Sequence, residues 1–325
     1  MPTPRRAVLA LPLLALARPA LAAGFPDRPL RLVVPYAPGG NTDVMARILS
    51  APMSEVLGQP IVVENRAGAG GSVASLQMAR TRADGYSLMI GSNGPLTVNP
   101  SIQADLGYDP MRAFAPIGMI CRTPLTVVVT PGLPVRDLRE FIAYARERPG
   151  HVTVASSGVG SSGHLAIANF AGLTGLDLQH VPYPSGAQIQ TDLAAGNVQA
   201  AITEISTALP MHRGGQIRIL AVATTARSAL APTIPTAEEA GVSGFREAAF
   251  IGLVQPANPP AEAQARLAAA LLNALARPDT QRRINETGSE VAAEQERTPA
   301  GFTAFLEVEL PRTQAAAVRA GLRPA

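Results

Sequence analysis

The run Val33-Val34-Pro35-Tyr36-Ala37-Pro38-Gly39-Gly40-Asn41-Thr42-Asp43-Val44-Met45-Ala46-Arg47 sets an apolar strand, a Pro/Gly turn and a helix start in direct succession. The chemistry it offers is that of the backbone. Gly39 and Gly40 let the main chain pass close to a ligand. Asn41, Thr42 or Asp43 can cap a helix whose apolar positions Val44, Met45, Ile48 and Leu49 recur at helical spacing. Free N–H groups at a helix start bind anions, so Tyr36, Pro38, Gly39, Gly40, Asn41, Thr42 and Asp43 form a candidate cradle for a carboxylate that needs no Arg or Lys.

The same order recurs midway along the chain, from Val152 to Ile167, where the strand Val152-Thr153-Val154-Ala155 runs into Ser156-Ser157-Gly158-Val159-Gly160-Ser161-Ser162-Gly163-His164. Ser156, Ser157, Gly160, Ser161, Ser162 and His164 are its candidate residues. Two such cradles suit two lobes that face one another. Ser161 or Ser162 with His164 also invites a serine-hydrolase reading. That reading is disfavoured: Ser162 and His164 stand two apart at a helix start, and no G-x-S-x-G elbow follows a strand here. The serines serve better as hydroxyl or N–H donors to a carboxylate.

Other candidate chemistries are weaker. Asn65-Arg66-Ala67-Gly68-Ala69-Gly70-Gly71 follows a strand, but its G-x-G-G spacing is not the dinucleotide G-x-G-x-x-G, and a structural turn is preferred. His151, His164, His180 and His212 are isolated in sequence, so no metal site is expected. Cys121 in Gly118-Met119-Ile120-Cys121 reads as a buried apolar residue. All 27 basic residues are Arg, which excludes a P-loop lysine and a pyridoxal Schiff base, and no cofactor is expected.

With 325 residues, 47% of them hydrophobic and 16% charged, the chain can bury the cores of two ordinary domains. Residues 1–23 read as an export signal: Arg5-Arg6, an apolar run from Ala7 to Ala17, and the small-x-small site Ala20-Leu21-Ala22. Arg5, Arg6 and Arg18 in this segment carry the whole formal excess of +3, so the mature chain is near neutral and nucleic-acid binding loses its support. The apolar run is too short to span a bilayer, and a protein released outside the cytoplasm is expected.

The elements that must hold the cradles alternate. Strands are expected at Leu30–Val34, 61–63, 88–90, 126–129, 152–155, 200–202, 217–223 and 250–254, with helices at 44–57, 138–147, 165–173 and 187–195. Two further helices, at Ala261–Ala276 and 299–320, close the chain. The alternation predicts α/β layers with largely parallel sheets.

The motifs, taken in order, resemble the extracytoplasmic solute receptors of the tripartite tricarboxylate transporter type, the Bug receptors. The matching stretches run nearly end to end: PYAPGGNTDVMAR, IVVENRAGAGGSVA, DGYSLMIGSN, YDPMRAFAPIGMI, SSGVGSSGHLAIANF, VPYPSGAQIQTDLAAGNVQAAI, IRILAVATTARSALAPTIPTAEEAG and TPAGFTAFLEVEL. The resemblance implies a type II periplasmic-binding-protein fold, two α/β lobes joined by a hinge with the ligand cleft between them. Lobe one is then 24–123 plus 249–325, and lobe two 124–248. It implies a monomeric periplasmic receptor, not an enzyme, that delivers a small organic acid to membrane transporter subunits; a ligand sensor for a signalling protein shares the fold. It adds Ser92, Asn93, Ser185 and Glu204 to the cleft border. Pro184-Ser185 replaces a common basic residue and glycine, and Glu204 stands where an Asp is frequent. That carboxylate either receives a cationic or hydroxyl group of the ligand or is a solvated or helix-capping Glu.

Overall fold

Alternating short apolar strands and amphipathic helices build the molecule, a computed structural model that describes residues 24–322. The expected export segment, 1–23, lies outside the described residues. In chain order the elements are β1 (Leu30–Val34), α1 (Asn41–Leu57), β2 (Ile61–Asn65), α2 (Ser72–Ala79), β3 (Ser87–Ser92), α3 (Asn99–Ile102), α4 (Pro110–Ala113) and β4 (Phe114–Val129). There follow α5 (Leu138–Arg146), β5 (Thr153–Ser156), α6 (Ser162–Thr174), β6 (Gln179–Pro182), α7 (Gly186–Ala195), β7 (Ala200–Glu204) and α8 (Ile205–Arg213). The chain ends with β8 (Arg218–Val222), β9 (Ala248–Pro256), α9 (Ala261–Ala276), α10 (Pro278–Glu286), β10 (Glu290–Val291) and α11 (Pro299–Arg319).

Helix α1 shows why these segments take these forms. Met45, Ile48, Leu49, Met53 and Leu57 fall on one face, are buried, and pack on α9 through Leu267, Leu271 and Ala274. Each such buried Leu or Met contributes roughly 1.5–3 kcal/mol. Gly58, left-handed at φ 71°, ends the helix, its N–H bonding to the Ser54 carbonyl.

The sheet runs in the order β2-β1-β3-β9-β4-β7-β5-β6, with β8 and β10 also paired to β4. The expectation of largely parallel sheets needs correction. β1 is parallel to β2 and β3, and β5 is parallel to β6 and β7, but β4 is antiparallel to β7, β8, β9 and β10, and β3 to β9. The reason is β4. It is one strand of 16 residues whose first part, to Pro124, pairs with β9, while Leu125–Val129 pair with β7 and β8. It therefore passes through both lobes, and β9 returns alongside it.

The cores divide the same way. One group of clusters gathers Leu32, Leu88, Ile120 and Leu271 with Met89, Phe250 and Phe302. The other gathers Val127, Phe141, Phe170 and Phe245 with Ile189, Ile205 and Ile219. A smaller contact crosses between them, Leu165 of α6 packing with Val98, Ile102 and Ala317.

Candidate ligand-binding site

The first cradle forms where β1 runs into α1. Gly39 takes φ 83°, a left-handed conformation open to glycine without steric cost. Gly40, extended at φ −78° and ψ 170°, is the N-cap, and no side chain caps the helix. Asp43 reaches back instead. Its carboxylate accepts from Gly39 N–H, Arg47 Nε and Asn65 Nδ2, each at 3.0 Å. Burial alone would raise this carboxyl, but Arg47, the Gly39 N–H and Asn65 outweigh it and hold it below the usual range. Asp43 thus fixes the turn from inside. The N–H groups of the helix's first turn, which have no carbonyl four residues back, remain for a ligand.

The second cradle comes from β5 and α6. Ser161 caps α6 by accepting from the His164 N–H at 3.2 Å, and it donates to Ser156 Oγ at 3.3 Å. Ser156 is fully buried, donates to the Gly158 carbonyl and contacts His180 Nε2 at 2.7 Å. His164 Nδ1 accepts from the Gly160 N–H at 3.2 Å, and its ring stacks on His180 with centroids 4.2 Å apart. Burial lowers the pKa of both imidazoles, that of His180 to about 4 with His164 adding to the effect. The serine–histidine contact is therefore Ser156 with His180. Among the described residues no carboxylate hydrogen-bonds either ring. The pair, isolated in sequence, is a layer that stiffens the loop from below.

Where the lobes meet lies a small cavity of about 20 Å³. Of the sequence candidates, Tyr36, Gly40, Asn41, Thr42, Ser92 and Asn93 line it from one side. Ser157, Ser162, Ser185 and Glu204 line it from the other. Pro38, Gly39, Asp43, Ser156, Gly160, Ser161 and His164 are not in its wall; most of them brace residues that are. Gly94, Gly186, Ala249, Phe250 and Ile251 complete the lining. Phe250 is held by its N–H, which donates to Asn93 Oδ1 at 2.7 Å.

A space of that size takes about one water molecule, so the lobes are shut against each other. The Ala37 N–H donates to the Pro184 carbonyl at 3.4 Å, and a β-carbon on Gly39 would sit 3.2 Å from Ala187 Cβ. A second contact lies at Gly70, where a β-carbon would meet the Val159 carbonyl at 2.1 Å. One on Gly160 would meet Asn99 Oδ1 at 1.6 Å. The Gly70 carbonyl is fixed by Tyr36 Oη at 3.2 Å and Asn99 Nδ2 at 3.1 Å. Sequence reasoning took Gly70 for a turn; its role as a contact point depends on where Val159 lands.

The N-termini of α1, α6 and α7 border the cavity at Gly40–Asn41, Ser162 and Ser185–Gly186. Each carries a partial positive charge of about one half, so the space favours an anion although no Arg or His side chain lines it. Burial raises the Tyr36 hydroxyl far above its usual value, against the opposing pull of the Ser92 hydroxyl, and keeps it a neutral donor. Burial likewise raises Glu204, against the opposing pull of its own N–H and the Thr203 hydroxyl.

A larger groove, about 830 Å³, shares Asn93, Ser162, Ala249 and Phe250 with this cavity. Its guanidiniums are already committed: Arg122 to Glu296, Arg246 to Glu238, Arg227 to Glu239 and Arg312 to Glu309. The small cavity, with its converging helix starts, is the better site for an anion.

Residues 45–308 match the family described as the tripartite tricarboxylate transporter family receptor. The chain belongs to this family. The receptor is 36% identical to protein BugT of Bordetella pertussis over 242 residues, 74% of each chain. Its structure resembles that of the periplasmic binding protein BugD, with TM-score 0.89 and 30% identity, covering 93% of this chain and all of the other. It also resembles Rpa4515 of R. palustris with adipate, with TM-score 0.87 and 35% identity over 93% of this chain and all of the other. The mixed sheet described above is thus that of the type II periplasmic-binding-protein fold, two lobes on a hinge. Members of the family are solute-binding receptors and not enzymes, and they work as periplasmic binding proteins.

Proposed function

We propose that the receptor captures a small organic acid between its lobes and delivers it to the membrane subunits of a tripartite tricarboxylate-type transporter. The observation that carries this reading is the convergence of the α1, α6 and α7 N-termini on one small cavity between the lobes. The ligand carboxylate is held by N–H groups of the α1 start and by the hydroxyls of Thr42, Ser157 and Ser162, with no guanidinium in contact. Adipate in a relative of 35% identity supports an organic acid as the ligand, and a molecule of that size needs the lobes further apart than they stand around this cavity.

Lobe one is 24–123 plus 249–325 and lobe two 124–248. The chain crosses between them at Thr123–Pro124 and at Ala248–Ala249, where β4 and β9 pair. A ligand touching both lobes stabilises the shut arrangement and shifts the population toward it. The protein acts as a periplasmic monomer, exported by residues 1–23.

Thermal shift and calorimetry with a panel of small carboxylates test the reading. Saturable stabilisation, a smaller radius of gyration in X-ray scattering and chemically intact ligand after long incubation are the expected results. Turnover of the ligand, abolished in His164→Ala or His180→Ala, would replace the receptor by a hydrolase.

A further inference from the structure

The polar atoms of the cavity are not balanced for a plain dicarboxylate. At the cradle end the α1, α6 and α7 starts present N–H donors. At the other positions Asn41 and Glu204 present acceptors. Asn41, 6% exposed, spends its amide on Thr123 Oγ1 at 3.0 Å, and Thr123 is held in turn by Ser289 Oγ at 2.8 Å. That arrangement leaves Asn41 Oδ1 buried without a partner, whereas Ser92 Oγ, in a residue 5% exposed, is a hydroxyl that can give or take a hydrogen bond and favours neither kind of ligand. Both residues line the cavity.

The third group is Glu204, the last residue of β7 and the N-cap of α8. One carboxylate oxygen accepts from Thr203 Oγ1 at 3.2 Å. Its own N–H also lies against the carboxylate, which makes no capping hydrogen bond to the first turn of α8. A dianion spanning the cavity would meet the Glu204 carboxyl in a space with no Arg or His in its wall, so one of the facing carboxylates would have to take up a proton, whereas a donor-ended ligand meets Glu204 with no such demand. A ligand whose far end carries an ammonium, amide or hydroxyl group would satisfy Glu204 and Asn41 Oδ1 together, and unmade partners of buried acceptors are costly.

We infer that this receptor selects acids with a hydrogen-bond donor opposite the carboxylate, amino or hydroxy acids and half-amides, and discriminates against unsubstituted dicarboxylates, with Glu204 as the specificity-determining residue. The inference rests on the carboxylate-receptor reading and narrows it. It also separates this chain from its relative with adipate, a dicarboxylate.

Matched probes of equal length test it at pH 7.5 by calorimetry: succinate against 4-aminobutanoate, glutarate against 5-aminopentanoate, and each diacid against its half-amide and its hydroxy-terminated counterpart. The donor-ended member of at least one pair should bind about tenfold or more tighter than its diacid. Glu204→Gln should erase or invert that ratio by weakening the donor-ended probe and strengthening the diacid, with an unchanged circular dichroism spectrum. Asn41→Asp provides a second lever, since a new negative charge beside the site should further penalise the diacid. Diacids that bind tighter than every donor-ended partner, above all with affinity rising on acidification as a protonated Glu204 would produce, overturn the inference while leaving the receptor intact. Absence of binding by any carboxylate probe, diacid or donor-ended, removes both the inference and the receptor reading beneath it.

Discussion

The Gly39 N–H points not into the cleft but back to the Asp43 carboxylate, at 3.0 Å. Of the two glycines in the first cradle, one is consumed in building the turn and the other, Gly40, borders the cavity. The division of labour between support and contact within a few residues governs how each substitution should behave.

Removing the support should cost stability. Asp43→Ala strips an acceptor from Gly39, Arg47 and Asn65 together, and the expected loss is about 1–3 kcal/mol in denaturant unfolding, with ligand affinity reduced. Asp43 also sets a pH dependence. Its folded pKa lies below the ordinary 3.8, so its contribution is fully present above that value and is lost as pH falls through the lower folded one. Unfolding midpoints measured below about pH 4 should fall more steeply for the wild type than for Asp43→Asn.

Gly40 should behave differently. Its backbone is extended, and a β-carbon there would lie 3.7 Å from the Gly186 nitrogen, an ordinary contact. Gly40→Ala is expected to fold normally. Gly40→Val places branched carbons toward the ligand space and should weaken binding by about 2 kcal/mol, the scale of a lost hydrogen bond to a charged group. Calorimetry beside circular dichroism reads both; unchanged affinity in the valine variant would remove this loop from the site.

Closure can be blocked away from the ligand. A β-carbon on Gly70 would lie 2.1 Å from the Val159 carbonyl, a backbone atom with little room to yield. Gly70→Ala should therefore keep the protein open, with a larger radius of gyration in scattering at saturating ligand and weaker affinity. The left-handed φ of 58° at this position adds a strain of order 1 kcal/mol to the unliganded fold.

The stacked imidazoles predict an acid weakness of opposite origin. Burial, with His164 alongside, lowers His180 from 6.5 to about 4. A group that takes up its proton more readily when unfolded lowers stability as pH falls below the unfolded value, and the loss stops growing near the folded one. Thermal midpoints should drop between about pH 6.5 and 4, and His180→Gln should flatten that slope. An unaltered slope in the variant assigns the effect to other groups.

The local grammar of the chain was legible in the sequence. β1 at Leu30–Val34 and α9 at Ala261–Ala276 stand where periodicity puts them, because apolar spacing and the Pro/Gly punctuation at their ends are local properties. The two strand-to-helix turns were legible for the same reason, as was the exclusion of lysine chemistry.

Sequence alone left hidden what depends on distant partners. β6, with Gln179 and Pro182 exposed and no apolar alternation, is a strand only because β5 supplies its hydrogen bonds. β4 reads as a short strand near 126–129, since Pro116 and Pro124 look like breaks. Register shifts near Pro116 and Cys121 accommodate its pairing with β9 and keep it continuous through both lobes. In the site, seven serines and threonines look alike in sequence. Which of them face the cavity is decided by tertiary packing: Ser161 is spent on its helix cap and Ser156 on His180, while Ser157 and Ser162 are left at the wall. A hydroxyl has one orientation at a time, and its choice of partner is set by what the fold brings within 3 Å.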